Sequence, residues 1–188
     1  MYILLFLFLL SPLSAWEFVD RAQEIITLEE STEDELLRCE EIFIDAFTLA
    51  YKDFTLEMLG IDNLYHFLQA AFSDVYSDYQ KGTSKIICAK HEGRVIGFAG
   101  FSRTETPHEI YISQLAVDPH YWRRGIGKHL VFASLTLYED AKSLVVIPRR
   151  INDIAKKFYY RLGFFECPYM HPGYDAKKYV GYEWKRAP

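Results

Sequence analysis

A short turn containing two glycines, Arg123-Arg124-Gly125-Ile126-Gly127-Lys128, separates a strand pattern from a helix pattern. Glycine lets the backbone approach a ligand closely, and the first amides of a helix have no partner within that helix. With the positive end of the helix dipole, such amides form a site for diphosphate, and the cationic side chains of the turn add positive potential. The turn alone is weak evidence, because short Gly-x-Gly runs are common.

Two further motifs flank the turn. The run Leu115-Ala116-Val117-Asp118-Pro119 precedes it, and Asn152-x-x-Ala155-x-x-Phe158-Tyr159-x-x-Leu162-Gly163-Phe164 begins 25 residues after Gly127. Asparagine is favoured as a helix cap, and glycine is favoured just past a helix end. The order of the three motifs is therefore more specific than the turn alone.

A strand-turn-helix-strand unit must position these motifs. The segment from Glu109 to Val117 alternates at first and then becomes continuously apolar, as a central strand does, and Pro119 ends it. Helical spacing of apolar residues predicts a helix from Lys128 to Glu139, followed by a short buried strand from Leu144 to Ile147. A second helix begins at the Asn152 cap.

The rest of the chain supplies helices and antiparallel strands around this unit. Apolar residues three and four apart predict two amphipathic helices, whose aromatic stripes are interpreted as core. The predicted helices span residues 36–54 and 64–79, and the predicted strands span residues 22–29, 86–89, 95–101, 164–166 and 178–185. With 188 residues, of which 50% are hydrophobic, the chain suits a single domain from residue 22 to residue 188.

The motifs together resemble the GCN5-related N-acetyltransferase (GNAT) family from about Ala22 onward, most strongly from Ile110 to Phe164. The resemblance implies an α/β (α+β) fold, with a mixed central sheet of about six to seven strands and about four helices. It also implies that two parallel strands splay apart and leave a cleft for the acyl thioester. One departure is Trp122, which stands where the family often has glutamine or arginine.

The resemblance implies that the chain is an N-acetyltransferase (class EC 2.3.1) with acetyl-CoA as co-substrate and no metal. The turn amides would hold the CoA diphosphate, and the end of the strand before the turn would pair with pantetheine. Asn152 is interpreted either as a helix cap with a pantetheine contact or as a cap alone. The implied cofactor-binding residues are Leu115, Ala116, Val117, Arg123, Arg124, Gly125, Ile126, Gly127, Lys128, Asn152 and Phe158.

Acetyl transfer needs a neutral amine, a stabilised oxyanion and a proton for the departing thiolate. Tyr159 matches the family position of a tyrosine that serves as general acid, although a tyrosine there could simply pack against CoA. The amide of Leu115 or Val117 is the candidate for polarising the thioester carbonyl. Glu109 and Tyr111, on one face of the strand, are the candidates for the general base. The family's catalytic glutamate aligns with Tyr111 and is therefore absent, so Glu109 would act through water, against the alternative of a solvated carboxylate at the strand start.

Charge is unevenly distributed along the chain. The net charge is −5, yet from Glu33 to Gln80 eleven acidic residues face only Arg38 and Lys52, a local balance of −9. These acids either solvate two helices or favour a cationic acceptor. Within this stretch of the chain, the segments from Ile42 to Tyr51 and from Asn63 to Ser73 are also loosely similar to the acceptor-side helices of bacterial diamine and polyamine acetyltransferases. A small cationic amine is therefore the first predicted acceptor, and a protein or peptide amino group is the second. A non-catalytic CoA-binding module is a further alternative. Nucleic acid is not expected as a partner, and a homodimer is left open.

The first fifteen residues include an apolar run that resembles the core of a secretory signal. No cation precedes the run, and a helix needs about 20 apolar residues to span a bilayer. A mis-assigned start or disposable leader, an interfacial anchor and an export signal are the three alternatives. Because the donor acetyl-CoA would be lacking outside the cell, a cytoplasmic location is favoured over export or membrane attachment through residues 2–15. Three cysteines at no metal-ligand spacing suggest neither a disulfide framework nor a zinc site.

Overall fold

Eight strands and five α-helices make up the protein, whose structure is a computed structural model that describes residues 15–187. The strands are β1 (Trp16–Val19), β2 (Ile25–Glu30), β3 (Ser84–His91), β4 (Arg94–Arg103), β5 (Glu109–Val117), β6 (Ser143–Val146), β7 (Phe165–Cys167) and β8 (Gly181–Lys185). The helices are α1 (Leu36–Ala50), α2 (Leu56–Leu59), α3 (Leu64–Gln80), α4 (Ile126–Leu137) and α5 (Asp153–Arg161).

All eight strands form one mixed sheet in the order β1-β2-β3-β4-β5-β6-β8-β7. The expected mixed fold is confirmed, with more strands than the six to seven predicted. The strand that the sequence did not predict is β1, which pairs antiparallel with β2 and precedes residue 22, where the domain was expected to start. The single-turn helix α2 was also not predicted. The predicted apolar leader falls almost wholly on residues 1–14, which lie outside the described part of the chain.

Two layers of helices cover the sheet. On one face, α4 and α5 pack over a core that includes Ile112, Leu130 and Tyr159. On the other face, α1 and α3 pack over a second core that includes Phe43, Phe72 and Ala116. The aromatic stripes of α1 and α3 therefore lie largely in the protein core.

Within residues 15–187, no helix is both long enough and apolar enough to cross a membrane.

Strands β5 and β6 form the one parallel pair in the described sheet, and they separate before β5 ends. Pairing runs from Glu109 opposite Ser143 to Ile112 opposite Val146. Beyond that point β5 continues to Val117 with β4 as its neighbour, while nothing in the described chain pairs with its other edge. The register between β4 and β5 shifts at Ser113, which has no partner in β4. Such a bulge bends its strand, and here it coincides with the start of the gap between β5 and β6.

Candidate functional site

The turn before α4 presents a row of backbone amides. Arg123 and Gly125 have positive φ angles of 64° and 95°, so the chain reverses sharply just before the helix starts. The amides of Lys128 and His129 both donate to the Gly125 carbonyl, at 3.1 and 3.4 Å. In contrast, the amides of residues 123–127 donate to no group in the described chain. These amides therefore remain available to an anion at the positive end of the helix.

The two glycines of the turn have different roles. A Cβ atom added to Gly125 would meet nothing within 4 Å, so the space above this residue is open. A Cβ atom added to Gly127 would lie 3.3 Å from Cζ of Phe158 on α5. Gly125 thus leaves room for a ligand and supplies the left-handed conformation, while Gly127 lets α4 and α5 approach each other closely.

The cationic side chains of the turn also differ. Arg123 and Lys128 are exposed, and neither forms an ion pair with any residue between 15 and 187. Arg124 instead donates through Nε to Asp20 at 2.5 Å and also pairs with Glu24, so its charge is balanced. Burial would raise the pKa of Asp20. Hydrogen bonds from the Glu24 amide, the Arg124 side chain and the Ala22 amide nevertheless hold this pKa below its ordinary value. Arg124 therefore anchors the turn through its side chain.

The edge of β5 presents a second set of backbone amides. The amide of Asp118 donates to the Ile96 carbonyl on β4 at 2.8 Å. Amides along an antiparallel strand alternate in direction, so that of Ala116 also faces β4, whereas those of Leu115 and Val117 face away from it. They point toward the gap between β5 and β6. The residues predicted from the sequence to contact the thioester and pantetheine thus border that gap.

Trp122, which departs from the family pattern, contacts the end of β5 through its side chain. Its indole Nε1 donates to the Val117 carbonyl at 2.6 Å, and its ring packs partly against the α1–α3 core. One acceptor on the open edge of β5 is therefore engaged by the protein itself. The amides of the turn are unaffected by this contact.

Asn152 and Phe158 lie at the start and in the middle of α5. The Asn152 side chain is buried and accepts a hydrogen bond from the Ala155 amide at 3.0 Å, which confirms its role as the helix cap. The Phe158 ring lies against Gly127, which brings α5 to the beginning of α4.

Tyr159 is buried in the core that α4 and α5 cover, with 5% of its surface exposed. Its ring makes edge contacts with Phe158 and Phe164, at centroid distances of 5.1 and 5.3 Å. Burial raises the pKa of Tyr159 above its ordinary value. The phenol therefore stays protonated at neutral pH, which is the state that a general acid requires.

Glu109 lies at the opposite end of β5 from Leu115 and Val117. It pairs with Ser143 at the start of both parallel strands, six residues before Leu115, or about 20 Å at the rise of a strand. Its carboxylate accepts a hydrogen bond from the Thr104 hydroxyl at 2.8 Å. Tyr111 is buried, and this burial, with the neighbouring Tyr174, raises its pKa. The structure therefore does not bring Glu109 to the splayed end of the strands.

The acidic segment from Glu33 to Gln80 lies mostly on the protein surface. Asp45 on α1 and Asp74 and Asp78 on α3 are exposed, as are the acids of the loops between the helices. Glu35 is less exposed and pairs with Lys90. This arrangement matches the interpretation that the acids solvate the helices.

Two contributors to the site, Asp20 and Glu24, were not predicted. Their ion pairs with Arg124 join residues 104 and 100 positions apart in sequence, and no local pattern links them. The only sequence feature that could have indicated these ion pairs is the presence of acidic residues just before β2. Within the described residues, no group of three or more His, Cys, Asp or Glu side chains is arranged to hold a metal ion.

Several solved structures share this fold. The PaiA N-acetyltransferase of Thermoplasma acidophilum, solved in complex with coenzyme A, gives a TM-score of 0.69 at 16% identity over 86% of this chain and 99% of that chain. Ard1 of Thermoplasma volcanium gives 0.59 at 22% identity, over 87% of this chain and 99% of that chain. Likeness at such low identity shows the fold alone.

Sequence comparison is more specific. The UPF0157 protein YqkA of Bacillus subtilis (strain 168) is 26% identical over 108 residues, which are 57% of this chain and 29% of that protein. The chain therefore spans less than a third of the length of this relative. The family described as Acetyltransferase (GNAT) matches residues 38–164, well over half of the chain and including both the turn and Tyr159. The chain belongs to the acetyltransferase (GNAT) family.

Proposed function

We propose that the protein is an N-acetyltransferase that moves an acetyl group from acetyl-CoA to a primary amine. The observation that carries the proposal is the pair of backbone arrays, one at residues 123–127 before α4 and one at Leu115 and Val117 on the open edge of β5, the strand that leads into that turn. The first suits the CoA diphosphate and the second suits an extended, amide-rich pantetheine arm. Membership of an acetyltransferase family supports the same assignment.

In the proposed reaction, the nitrogen of a neutral amine attacks the thioester carbonyl carbon in the gap between β5 and β6. The amide of Leu115 or Val117 donates to the carbonyl oxygen as negative charge develops there. The C–N bond forms, the C–S bond breaks, and Tyr159 gives its proton to the departing sulfur. The nitrogen loses its proton to water, which also restores the phenol.

Glu109 has no part in this proposal as a direct base. Its distance along β5 from the splayed end and its hydrogen bond to Thr104 support a structural role at the strand start. Glu109 is buried, with 7% of its surface exposed, so the alternative of a solvated carboxylate was wrong. Deprotonation through ordered water needs no side chain at that position. Replacing Glu109 with Gln should leave the alkaline plateau of turnover unchanged, and a loss of that plateau would restore the glutamate as the base.

The proposal also concerns the class of amine that accepts the acetyl group. A small cationic amine is supported by the local charge balance of −9 between Glu33 and Gln80, although the exposed positions of these acids reduce that support. A protein or peptide amino group is the second candidate. Incubation with acetyl-CoA and a panel of polyamines, amino acids and lysine peptides, followed by released thiol, tests both. Turnover of peptides alone would rule out the first candidate.

We further propose a cytoplasmic location, while a homodimer is left open. The location is supported by the need for acetyl-CoA. Cell fractionation with N-terminal sequencing tests it, and an intact apolar start recovered in the membrane fraction would contradict it. Sedimentation equilibrium tests the homodimer, for which a monomer at all concentrations would be the contrary result.

A further inference from the structure

A buried arginine lies on the opposite side of the gap from the β5 amides. Arg149 follows β6 and has 6% of its surface exposed. Its Nη2 atom donates to the Leu59 carbonyl at 2.5 Å, whereas Nε and Nη1, although buried, make no hydrogen bond within the described chain. No carboxylate of the described residues pairs with it. Arg149 is therefore a buried cation with donors to spare.

Aromatic rings enclose this guanidinium. Its central carbon lies 5.0 Å from the centroid of Phe67, 5.5 Å from that of Tyr179 and 6.0 Å from that of Tyr51. The rings exclude water and offset part of the lost hydration by cation–π attraction. The rings do not accept hydrogen bonds from the remaining N–H groups of Arg149, at Nε and Nη1. Burial of an incompletely paired cation is unfavourable unless an anion reaches it.

Arg149 and Leu115 lie on the two chain segments that continue beyond the last parallel partners of β5 and β6. Ile112 and Val146 are the last parallel partners, and Leu115 and Arg149 each lie three residues beyond them. The two residues thus stand on opposite sides of the gap, because β5 and β6 run in the same direction. Arg149 then pairs with Tyr179 through an isolated bridge, which holds its backbone away from β5.

The Arg149 side chain points to the face of the sheet that α1 and α3 cover. Its neighbours Tyr51, Leu59 and Phe67 belong to the end of α1, to α2 and to α3. The turn amides lie at the start of α4, on the other face. A donor held by α4 and an acceptor entering beside α1 and α3 would meet in the gap, with Arg149 on the acceptor side.

We infer that Arg149 binds a carboxylate of the acceptor, so that the acceptor is an amine that also carries a carboxylate. This inference rests on the proposed acetyl transfer, and it favours a carboxylated amine over the diamine or polyamine that was the first candidate above. Nη2 keeps a second hydrogen, which with the neighbouring free Nε or Nη1 can donate two parallel hydrogen bonds to a carboxylate, and the water-poor surroundings strengthen them. A diamine would instead bring a second positive charge toward Arg149, which opposes binding. Arg149 is thus a specificity-determining residue.

Matched pairs of amines test the inference in the CoA-loaded protein by calorimetry, which needs no turnover. Lysine against cadaverine and 4-aminobutyrate against butylamine represent free amino acids, while Ala-Asp-amide against Ala-Asn-amide represents a peptide side chain. In at least one of these pairs the carboxylated member should bind about 30-fold more tightly, as expected for a desolvated charge pair. The pair that shows the ratio identifies the source of the carboxylate.

Variants then assign that ratio to Arg149. Arg149→Gln should bring it close to one, and Arg149→Lys should give an intermediate ratio, because lysine keeps the charge without the fork. Arg150→Gln is the matched control, since the adjacent Arg150 is half exposed and donates to the Ala176 carbonyl. Its ratio should equal that of the unmodified protein.

Two results would overturn the inference. One is equal or weaker binding of every carboxylated member to the unmodified protein, which decides the matter even if Arg149→Gln does not fold. The other is an undiminished ratio in a folded Arg149→Gln protein. Selective binding without any release of thiol from acetyl-CoA would instead overturn the proposed transferase activity and leave the carboxylate site standing.

Discussion

The proposed acetyl transfer depends on one side chain above all, that of Tyr159. The Phe-Tyr motif indicated it as a general acid through its resemblance to the family, and the structure adds a physical reason for the protonated state. Burial among Phe158 and Phe164 raises the pKa of the phenol. Because the folded value lies above the ordinary tyrosine value, the proton is retained through neutral and mildly alkaline pH.

Substitution of Tyr159 by Phe should lower kcat by about 100-fold or more, the usual contribution of a positioned acid, while the Kd of CoA stays within about twofold. Turnover of the unmodified enzyme should show no alkaline decrease below about pH 10, the ordinary tyrosine pKa. Tyr160→Phe is the control, since Tyr160 is 74% exposed on the same helix. Steady-state kinetics with CoA titration checks both expectations, and unchanged kcat in Tyr159→Phe would remove the tyrosine from the mechanism.

Arg124 illustrates what residue types alone could not predict. The sequence indicated it as a cofactor-binding residue, and its backbone amide does belong to the exposed row. Its guanidinium, however, is paired with Asp20 and Glu24. Whether an arginine meets a ligand or an internal carboxylate depends on contacts between distant segments, which spacing does not encode.

At the scale of elements, the start of α4 depends on β1 and the loop after it. The unpredicted strand β1 ends at Val19, which places Asp20 against Arg124. The helix and the central strands were predictable because their apolar periodicity is strong. The loss of pairing between β5 and β6 beyond Ile112 coincides with a bulge at Ser113. No local sequence pattern predicted that bulge.

Asp20→Asn should therefore lower the free energy of unfolding by about 2 kcal/mol at pH 7, since it removes a charged hydrogen-bond partner of Arg124. The folded pKa of Asp20 lies below its ordinary 3.8, so its ionised form stabilises the protein. That contribution is complete well above pH 3.8 and is lost as the pH falls through the folded value. Urea unfolding between pH 3 and pH 7 measures this effect.

The difference between Asp20→Asn and the unmodified protein should shrink as the pH falls below about 4. Asp140→Asn serves as the comparison, because Asp140 also pairs with an arginine but is largely exposed, so its loss should destabilise less. A constant difference across the whole pH range would mean that Asp20 does not stabilise the turn as an anion.

At the scale of the whole molecule, the gap between β5 and β6 divides the open end of an otherwise continuous sheet. The family resemblance predicted this parallel pair and its cleft, and the family and fold are confirmed. The acidic segment from Glu33 to Gln80 was harder to interpret, because a charge count does not reveal which faces of α1 and α3 point to solvent. A ligand that bridges α4, β5 and α5 should stabilise all three together.

Coenzyme A at about 1,000 times its Kd should accordingly raise the free energy of unfolding by about 4 kcal/mol. Thermal unfolding across a CoA titration checks this value, and adenosine without the diphosphate is the control ligand. A rise in Tm that is equal for both ligands would place the binding energy outside the turn.

The most direct test of the central claim compares Gly125→Glu with Gly82→Glu. Both glycines have positive φ angles, of 95° and 69°, and a Cβ atom meets nothing within 4 Å at either, so the two changes are matched in strain and space. Only Gly125 lies at the start of α4. Calorimetric CoA binding should be abolished in Gly125→Glu and retained in Gly82→Glu, with release of thiol from acetyl-CoA following the same pattern. Normal CoA binding by a folded Gly125→Glu protein would contradict the account.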